Sequence, residues 1–277
     1  LVQEDVVAHG NLLFLRIVEY RPGSGRLRRR HALGPEHPDL ALLLHVTSQL
    51  PGSVAGAPEQ VCPDLAGSGA TTDDGGPLSL PALADQVLAA ARAADALPCD
   101  LVGFSLGAVV AAWIAAEHPS LVRSLVLVAG FAGGPESRSA LQFGLWRDLI
   151  RNDRESMARL LLLTGFSPAF LSAQDATALA KRQAAVLRFT NWDGMLRQTE
   201  LDMTLDIRDR LAAIQAPTTV IGGSQDQMVP PALVRGLAAA IPGARYQEID
   251  SGHLIPLEQP ALLATQILHV TTPPHQS

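Results

Sequence analysis

Lysine is nearly absent from this chain. Lys181 is its single representative among 21 basic residues, the rest being arginine. Clustered positive charge is also missing: the formal net charge is −6. The one basic run, Arg28-Arg29-Arg30 with Arg26 nearby, is short and has no aromatic residues interleaved, so it reads as a solvated loop. Phosphate binding needs clustered cations, and a nucleic-acid partner is therefore not expected. There are two cysteines, Cys62 and Cys99. Each lies in or beside an apolar, strand-like run, so buried thiols are the first expectation, with a disulfide left open. No stretch reaches the roughly 18 uninterrupted apolar residues of a membrane span. No secretory signal is visible either, and a cytoplasmic protein without membrane contacts is expected. The first residue is Leu1 rather than Met, so the natural start is expected to lie elsewhere. No cluster of His, Cys, Asp and Glu occurs at metal-ligand spacing, so no metal or other cofactor is implied.

What is present is apolar and well mixed. Hydrophobic residues make up 47% of 277 positions, which fits a globular chain of one α/β domain with an insertion. The segment from Asp5 to Tyr20 reads as two strands around His9-Gly10-Asn11. Leu40 to Val46 is a short continuous apolar run, as in a strand buried on both faces of a parallel sheet. A brief strand around Val61 leads into a Gly/Thr/Asp loop. Ser79 is a candidate N-cap for a helix with Pro81 in its first turn and Leu83, Val87 and Ala90 on one face. A strand over Asp100–Phe104 precedes a helix that runs to about Glu117, and Leu121 to Phe131 holds the next strand.

The pattern then changes. From 134 to 201 strand signals fade and amphipathic helical segments follow one another. Asn152-x-x-Glu155 and Ser172-x-x-Asp175 are candidate capping pairs. Strand and helix alternate again from Ala216 to the helix ending near Val270. Residues 1–133 and 202–277 thus read as one core domain: a mostly parallel sheet with helices on both faces. Residues 134–201 read as a helical cap inserted into it. Ligands of such sheets bind at the carboxyl ends of the strands.

A lone serine stands at one of those ends. Ser105 lies between Gly103 and Gly107, where an apolar strand becomes an alanine-rich helix. A serine hydroxyl is a poor nucleophile unless a base removes its proton, and the base is commonly a histidine oriented by a carboxylate. Of eight histidines, His45 and His253 are at strand ends. His253 follows the last strand; Asp226 follows the strand Thr218–Gly223. The chain order is Ser105, Asp226, His253.

Gly103-Phe104-Ser105-Leu106-Gly107 resembles the nucleophile elbow of the α/β-hydrolase superfamily. "APTTVIGGSQDQMVPP" resembles that family's acid loop, "IDSGHLIPLEQP" its histidine loop, and "CPDLAGSGAT" its segment after an early strand. The resemblance implies an α/β-hydrolase fold with catalytic Ser105, Asp226 and His253. It also implies a first oxyanion donor at the Leu106 N–H. Phe104 beside the nucleophile, and Trp146 and Trp192 in the cap, are candidate substrate contacts; the cap aromatics read equally as core.

The chain departs from the family in two places. The interval from His45 to Asp64, where the family fits a helix, is short here and rich in Gly and Pro, so that helix is expected to be truncated or absent and the pocket mouth reshaped. The other departure is at the oxyanion side. Where relatives carry His-Gly after the third strand, this sequence has His45-Val46-Thr47. Valine restricts the backbone that glycine would leave free. Thr47, with Val46, is the candidate for the second oxyanion donor. Loss of one such donor would weaken stabilisation of a tetrahedral intermediate by about 2.7–4 kcal/mol. The leading reading is a serine-dependent hydrolase of an ester or thioester of a small, fairly apolar molecule. The alternative is a non-hydrolytic enzyme of the same fold, eliminating a carboxylate such as acetate or closing a ring in secondary-metabolite biosynthesis. A non-catalytic small-molecule-binding protein is the third reading. Oligomeric state is not readable. If acyl hydrolysis is the reaction, Val46→Gly should maintain or raise the steady-state rate on an activated ester. A large loss on both that ester and the native substrate would mean that the valine side chain shapes the pocket.

Overall fold

The computed structural model describes residues 15–19, 59–61, 63–68, 71, 73–134 and 136–271. Their order is β1 (Leu15–Glu19), β2 (Glu59–Val61), α1 (Leu80–Ala93), β3 (Cys99–Phe104), α2 (Leu106–Glu117), β4 (Val122–Val128) and α3 (Ser137–Asn152). There follow α4 (Arg154–Gly165), α5 (Pro168–Ser172), α6 (Ala176–Phe189), α7 (Trp192–Asp202), β5 (Thr218–Gly223), α8 (Pro231–Ala240), β6 (Arg245–Ile249), α9 (Ile255–Glu258) and α10 (Pro260–Thr271). The expected strand at Leu40–Val46 lies outside the described residues, as do Val46, Thr47 and Cys62. Cys99 is a buried free thiol, and burial pushes its pKa up to about 12.

The described strands form one sheet in the order β2-β1-β3-β4-β5-β6. β1 is antiparallel to both neighbours, and β3 through β6 run parallel. β3 and β5 are buried at every position and β4 at all but Arg123. Continuous apolar runs are what strands covered on both faces require. Helix α2 packs on β3 and β4, α8 on β5 and α10 on β4. Helix α2 is apolar all round, from Leu106 through Ala115, because it is enclosed on all sides. The register aligns Phe104 with Val128, Val128 with Ile221, and Gly223 with Ile249. The carboxyl ends of β3, β4, β5 and β6 therefore share one edge.

Residues 137–202 form five helices, α3 to α7. Each begins with a side chain that accepts from free backbone N–H groups of its first turn: Glu136, Asp153, Ser167, Asp175 and Asn191. Two of these caps differ from the expected ones. Asp153, not Asn152, opens α4, because a carboxylate accepts from the Ser156 N–H and hydroxyl together. Asn152 belongs to α3 and donates to the Asp148 carbonyl. Likewise Ser172 ends α5, and Asp175 is itself the cap of α6. The terminal helix is also divided. Pro260 has no N–H to continue α9 and instead starts α10.

The two ends of this helical block lie side by side. Gly133 bridges to Asp206, and the Gly134 N–H donates to the Leu205 carbonyl at 2.8 Å. Gly133 has φ +75°, and a Cβ there would lie 2.1 Å from the Leu205 oxygen, so glycine is required. From these roots the block reaches over the carboxyl edge of the sheet. Gln142 donates to the Met228 carbonyl at 3.0 Å, and Arg138 contacts the Gln227 carbonyl. Backbone at Gly194 in α7 approaches Gly67 in the loop after β2 so closely that neither tolerates a Cβ easily. Arg197 pairs there with Asp73 at 3.0 Å, both side chains largely buried. Asp73 also accepts from the Gly67 and Gly75 N–H groups. Among the described residues no helix is long and apolar enough to cross a membrane.

The hydrogen bonds from Arg197 hold the Asp73 carboxyl below its ordinary range. A depressed carboxylate pKa stabilises the fold at neutral pH, and that contribution is lost as acidification passes through the lowered value. Arg197→Met should therefore cost up to about 1 kcal/mol at pH 7. In urea titrations the gap between wild type and variant should narrow as the pH falls below the usual carboxylate range. A gap independent of pH would show that the ion pair is not its source.

Candidate active site

The turn from β3 into α2 carries Ser105 with φ 54° and ψ −123°, a conformation that a residue with a side chain rarely adopts. Such backbone costs about 1–3 kcal/mol and persists only where its surroundings enforce it. Two features enforce it here. The Ser105 N–H donates to the Val128 carbonyl at 2.9 Å, anchoring the turn to β4. At Gly103 a Cβ would stand 2.2 Å from the Gly107 carbonyl oxygen, so the strand and helix meet only because that position is glycine. The hydroxyl of Ser105 makes no capping bond to its own helix and is half-buried at the sheet edge. Leu106 opens α2, where the first N–H groups have no intrahelical acceptor and the helix end carries partial positive charge.

His253 comes from the loop after β6 and is 1% exposed. Its Nε2 lies 3.1 Å from Ser105 Oγ. Its Nδ1 lies 2.7 Å from Asp226 Oδ2. Asp226 is also buried, and its other oxygen, Oδ1, accepts from the Met228 and Val229 N–H groups, each at 2.8 Å. The backbone bonds fix the carboxylate rotamer and leave Oδ2 for the imidazole. A carboxylate accepting at Nδ1 selects the tautomer with hydrogen on Nδ1, so Nε2 presents a lone pair to the serine hydroxyl. The acid and histidine loops are also laced to each other. Ser224 N–H donates to the Ile249 carbonyl and Gln225 N–H to the Ser251 carbonyl. Asp250 accepts from the side chains of both Ser224 and Gln225.

The structure thus brings Ser105, Asp226 and His253 together with Leu106 beside them. Phe104 is 1% exposed, and its ring packs 5.0 Å from the His253 ring, so it abuts the imidazole from the core side. Trp146 stands edge-on to Phe143, which in turn faces Phe131 at the end of β4. Trp192 donates from Nε1 to the Leu187 carbonyl and lies under Arg154. These ring and hydrogen-bond contacts of the two tryptophans are within the helical block and its root. Two residues absent from the sequence-based candidates meet at Gly252, the residue before His253. Glu258 accepts from the Gly252 N–H at 3.0 Å and from the Ser167 N–H at 2.8 Å and hydroxyl at 2.5 Å. Ser167 is 91 positions away in the chain, so no local pattern links the pair. Among the described residues no group of three or more His, Cys, Asp and Glu side chains is arranged to hold a metal ion.

A mostly parallel sheet with helices packed on it, and a serine on a strained strand-to-helix turn facing a histidine–aspartate pair, define a class. The chain belongs to the α/β-hydrolase fold family, whose model matches residues 59–260. Within that family it is 46% identical over 200 residues to the pyrrolizixenacetamide deacetylase of Xenorhabdus hominickii, covering 72% of this chain and 75% of that protein. It is 31% identical over 253 residues to a pimeloyl-[acyl-carrier protein] methyl ester esterase of Xanthomonas campestris, covering 84% of this chain and 94% of the relative. Among solved structures, a hydrolase from Pseudomonas aeruginosa superposes with a TM-score of 0.70 at 28% identity, over 82% of this chain and 84% of the other. The relatives are named hydrolases and esterases, and the protein is an enzyme of this family.

Gly103→Ala would test the close approach on which the elbow depends. Overpacking of this kind costs about 1–3 kcal/mol where neighbours can yield, and the neighbour here is backbone. The urea midpoint should fall by at least that equivalent. An unchanged midpoint would mean that strand and helix separate without penalty.

Proposed function

We propose that the protein is a serine hydrolase that removes a short acyl group, such as acetyl, from an amide or ester of a small molecule. The hydrogen-bonded series Ser105–His253–Asp226 carries this reading. The acyl class is supported by the 46% identical relative, whose name describes a deacetylase of an acetamide. Ser105 Oγ attacks the acyl carbonyl while its proton passes to His253 Nε2. Asp226 holds the imidazole in its productive tautomer and stabilises the cation that forms. The Leu106 N–H, at a helix N-terminus, faces the negative charge developing on the carbonyl oxygen. His253 then returns the proton to the departing amine or alkoxide. Water, deprotonated by the same nitrogen, releases the acyl group as a free acid and restores Ser105. Phe104 backs the imidazole rather than lining the substrate. Residues 134–201 serve as a lid over this edge, and substrate selection lies in that lid and in the segment containing Val46 and Thr47.

Ser105→Ala should lower kcat on the order of 10⁶-fold and leave stability within about 0.5 kcal/mol. A fluorophosphonate should label wild type at Ser105. Turnover in heavy-oxygen water should place the label in the released carboxylic acid. A released acid without label would replace hydrolysis by elimination, and a Ser105→Ala enzyme with undiminished rate would remove the serine from the reaction.

A further inference from the structure

The histidine loop is held from both sides by the helical block. Leu254 N–H, just after His253, donates to the Gly165 carbonyl at the end of α4 at 2.8 Å. Gly252 N–H, just before it, donates to Glu258 Oε1, which also takes the Ser167 N–H. Glu258 Oε2 takes the Ser167 hydroxyl proton, and the same hydroxyl oxygen accepts from the Phe170 N–H to cap α5. The Ser167 hydroxyl thus donates one bond and accepts one, and Ser167 is buried. The approach is tight. A Cβ at Gly252 would lie 2.6 Å from the Phe166 carbonyl carbon and the Ser167 nitrogen. The block's side of the contact is itself firm: Phe166 is fully buried, stacked on Phe170 at 4.5 Å, with Arg182 over both rings.

We propose that Glu258 is a positioning residue. It clasps the α4–α5 joint of the helical block to the backbone at Gly252 and so sets the distance from His253 Nε2 to Ser105 Oγ. This rests on His253 being the base in the reaction proposed above. A charged acceptor shared by three donors is stronger and more directional than neutral hydrogen bonds. Its loss frees the peptide that precedes the base, and displacements near 1 Å at a reacting group cost about 10²-fold. A glutamine at this position retains an acceptor for the two N–H groups, and its amide can donate to the Ser167 hydroxyl oxygen. It should therefore rescue most of the effect.

The test uses the full chain, p-nitrophenyl acetate and a fluorophosphonate probe, with folding checked by circular dichroism. Glu258→Ala should lower kcat about 10²-fold, leave KM within about twofold, and slow fluorophosphonate labelling of Ser105 in parallel. Glu258→Gln should lie within about tenfold of wild type. If Glu258→Ala does not fold, Ser167→Ala, which removes one of the three donors, should give a smaller loss with the same kcat-only signature. Because the two act through one contact, adding Ser167→Ala to the folded Glu258→Ala enzyme should lower kcat little further. A folded variant that labels as fast as wild type, or one that raises KM with kcat unchanged, would overturn the clasp alone. A wild type that neither labels at Ser105 nor turns over the ester would overturn the hydrolase reading beneath it.

Discussion

The backbone at Gly252 is where three parts of the molecule are forced together. On one side its carbonyl oxygen lies 2.3 Å from where a Cβ at Gly223 would be, so the end of β5 presses against it. On the other side lie Phe166 and Ser167 of the helical block. Between them the chain proceeds directly to His253. Glycine at 223 and 252 is a steric condition for this junction. Sheet, acid loop and helical block then share a single close contact, and the histidine side chain has little freedom left.

The serine is held by a different economy of space. Strain at Ser105 is sustained by the fit of β3 against α2 at Gly103 and by the bond to β4, not by side-chain interactions of its own. Asp226 is fixed by two backbone N–H groups of its own loop. Ser105 and Asp226 are therefore positioned by main chain, and the His253 loop by the close main-chain contacts at Gly252 together with the Glu258 carboxylate. Main-chain positioning suits groups that must be in place before a ligand arrives, because no rotamer has to be ordered at that moment.

How much of this could be read from the residues depended on the range of the interactions. Strands β3 to β5 announce themselves as continuous apolar runs, and the elbow as small residues at a strand–helix junction. Asp226 and His253 could be found because each follows a strand at the edge where Ser105 must lie. Helix caps were misplaced by one or a few residues, as at Asp153 and Asp175. Neighbouring polar residues all have capping chemistry there, and only geometry selects one. Phe104, a candidate from its place beside the nucleophile, is buried with its ring against the imidazole, a contact that no sequence pattern specifies. Glu258 lies within the histidine-loop motif, but nothing local pairs it with Ser167, since that contact arises only when the α4–α5 joint meets α9. His45, Val46 and Thr47 lie outside the described residues, and the departure they represent stands on sequence alone.

The adjacent roots of the helical block have a bearing on how such a chain diversifies. With Gly133 bridged to Asp206, the excursion leaves and re-enters the core at nearly one point. The entropy of closing a loop grows only slowly with its length, so material could be added or removed in the excursion while the sheet register is untouched. Glu258 limits that freedom. It belongs to the core, yet its partner Ser167 belongs to the excursion. An exchanged segment would fit the frame and still leave the Glu258 carboxylate without two of its three donors. Variation in what encloses the ligand is thereby tied to the segment that touches the histidine loop.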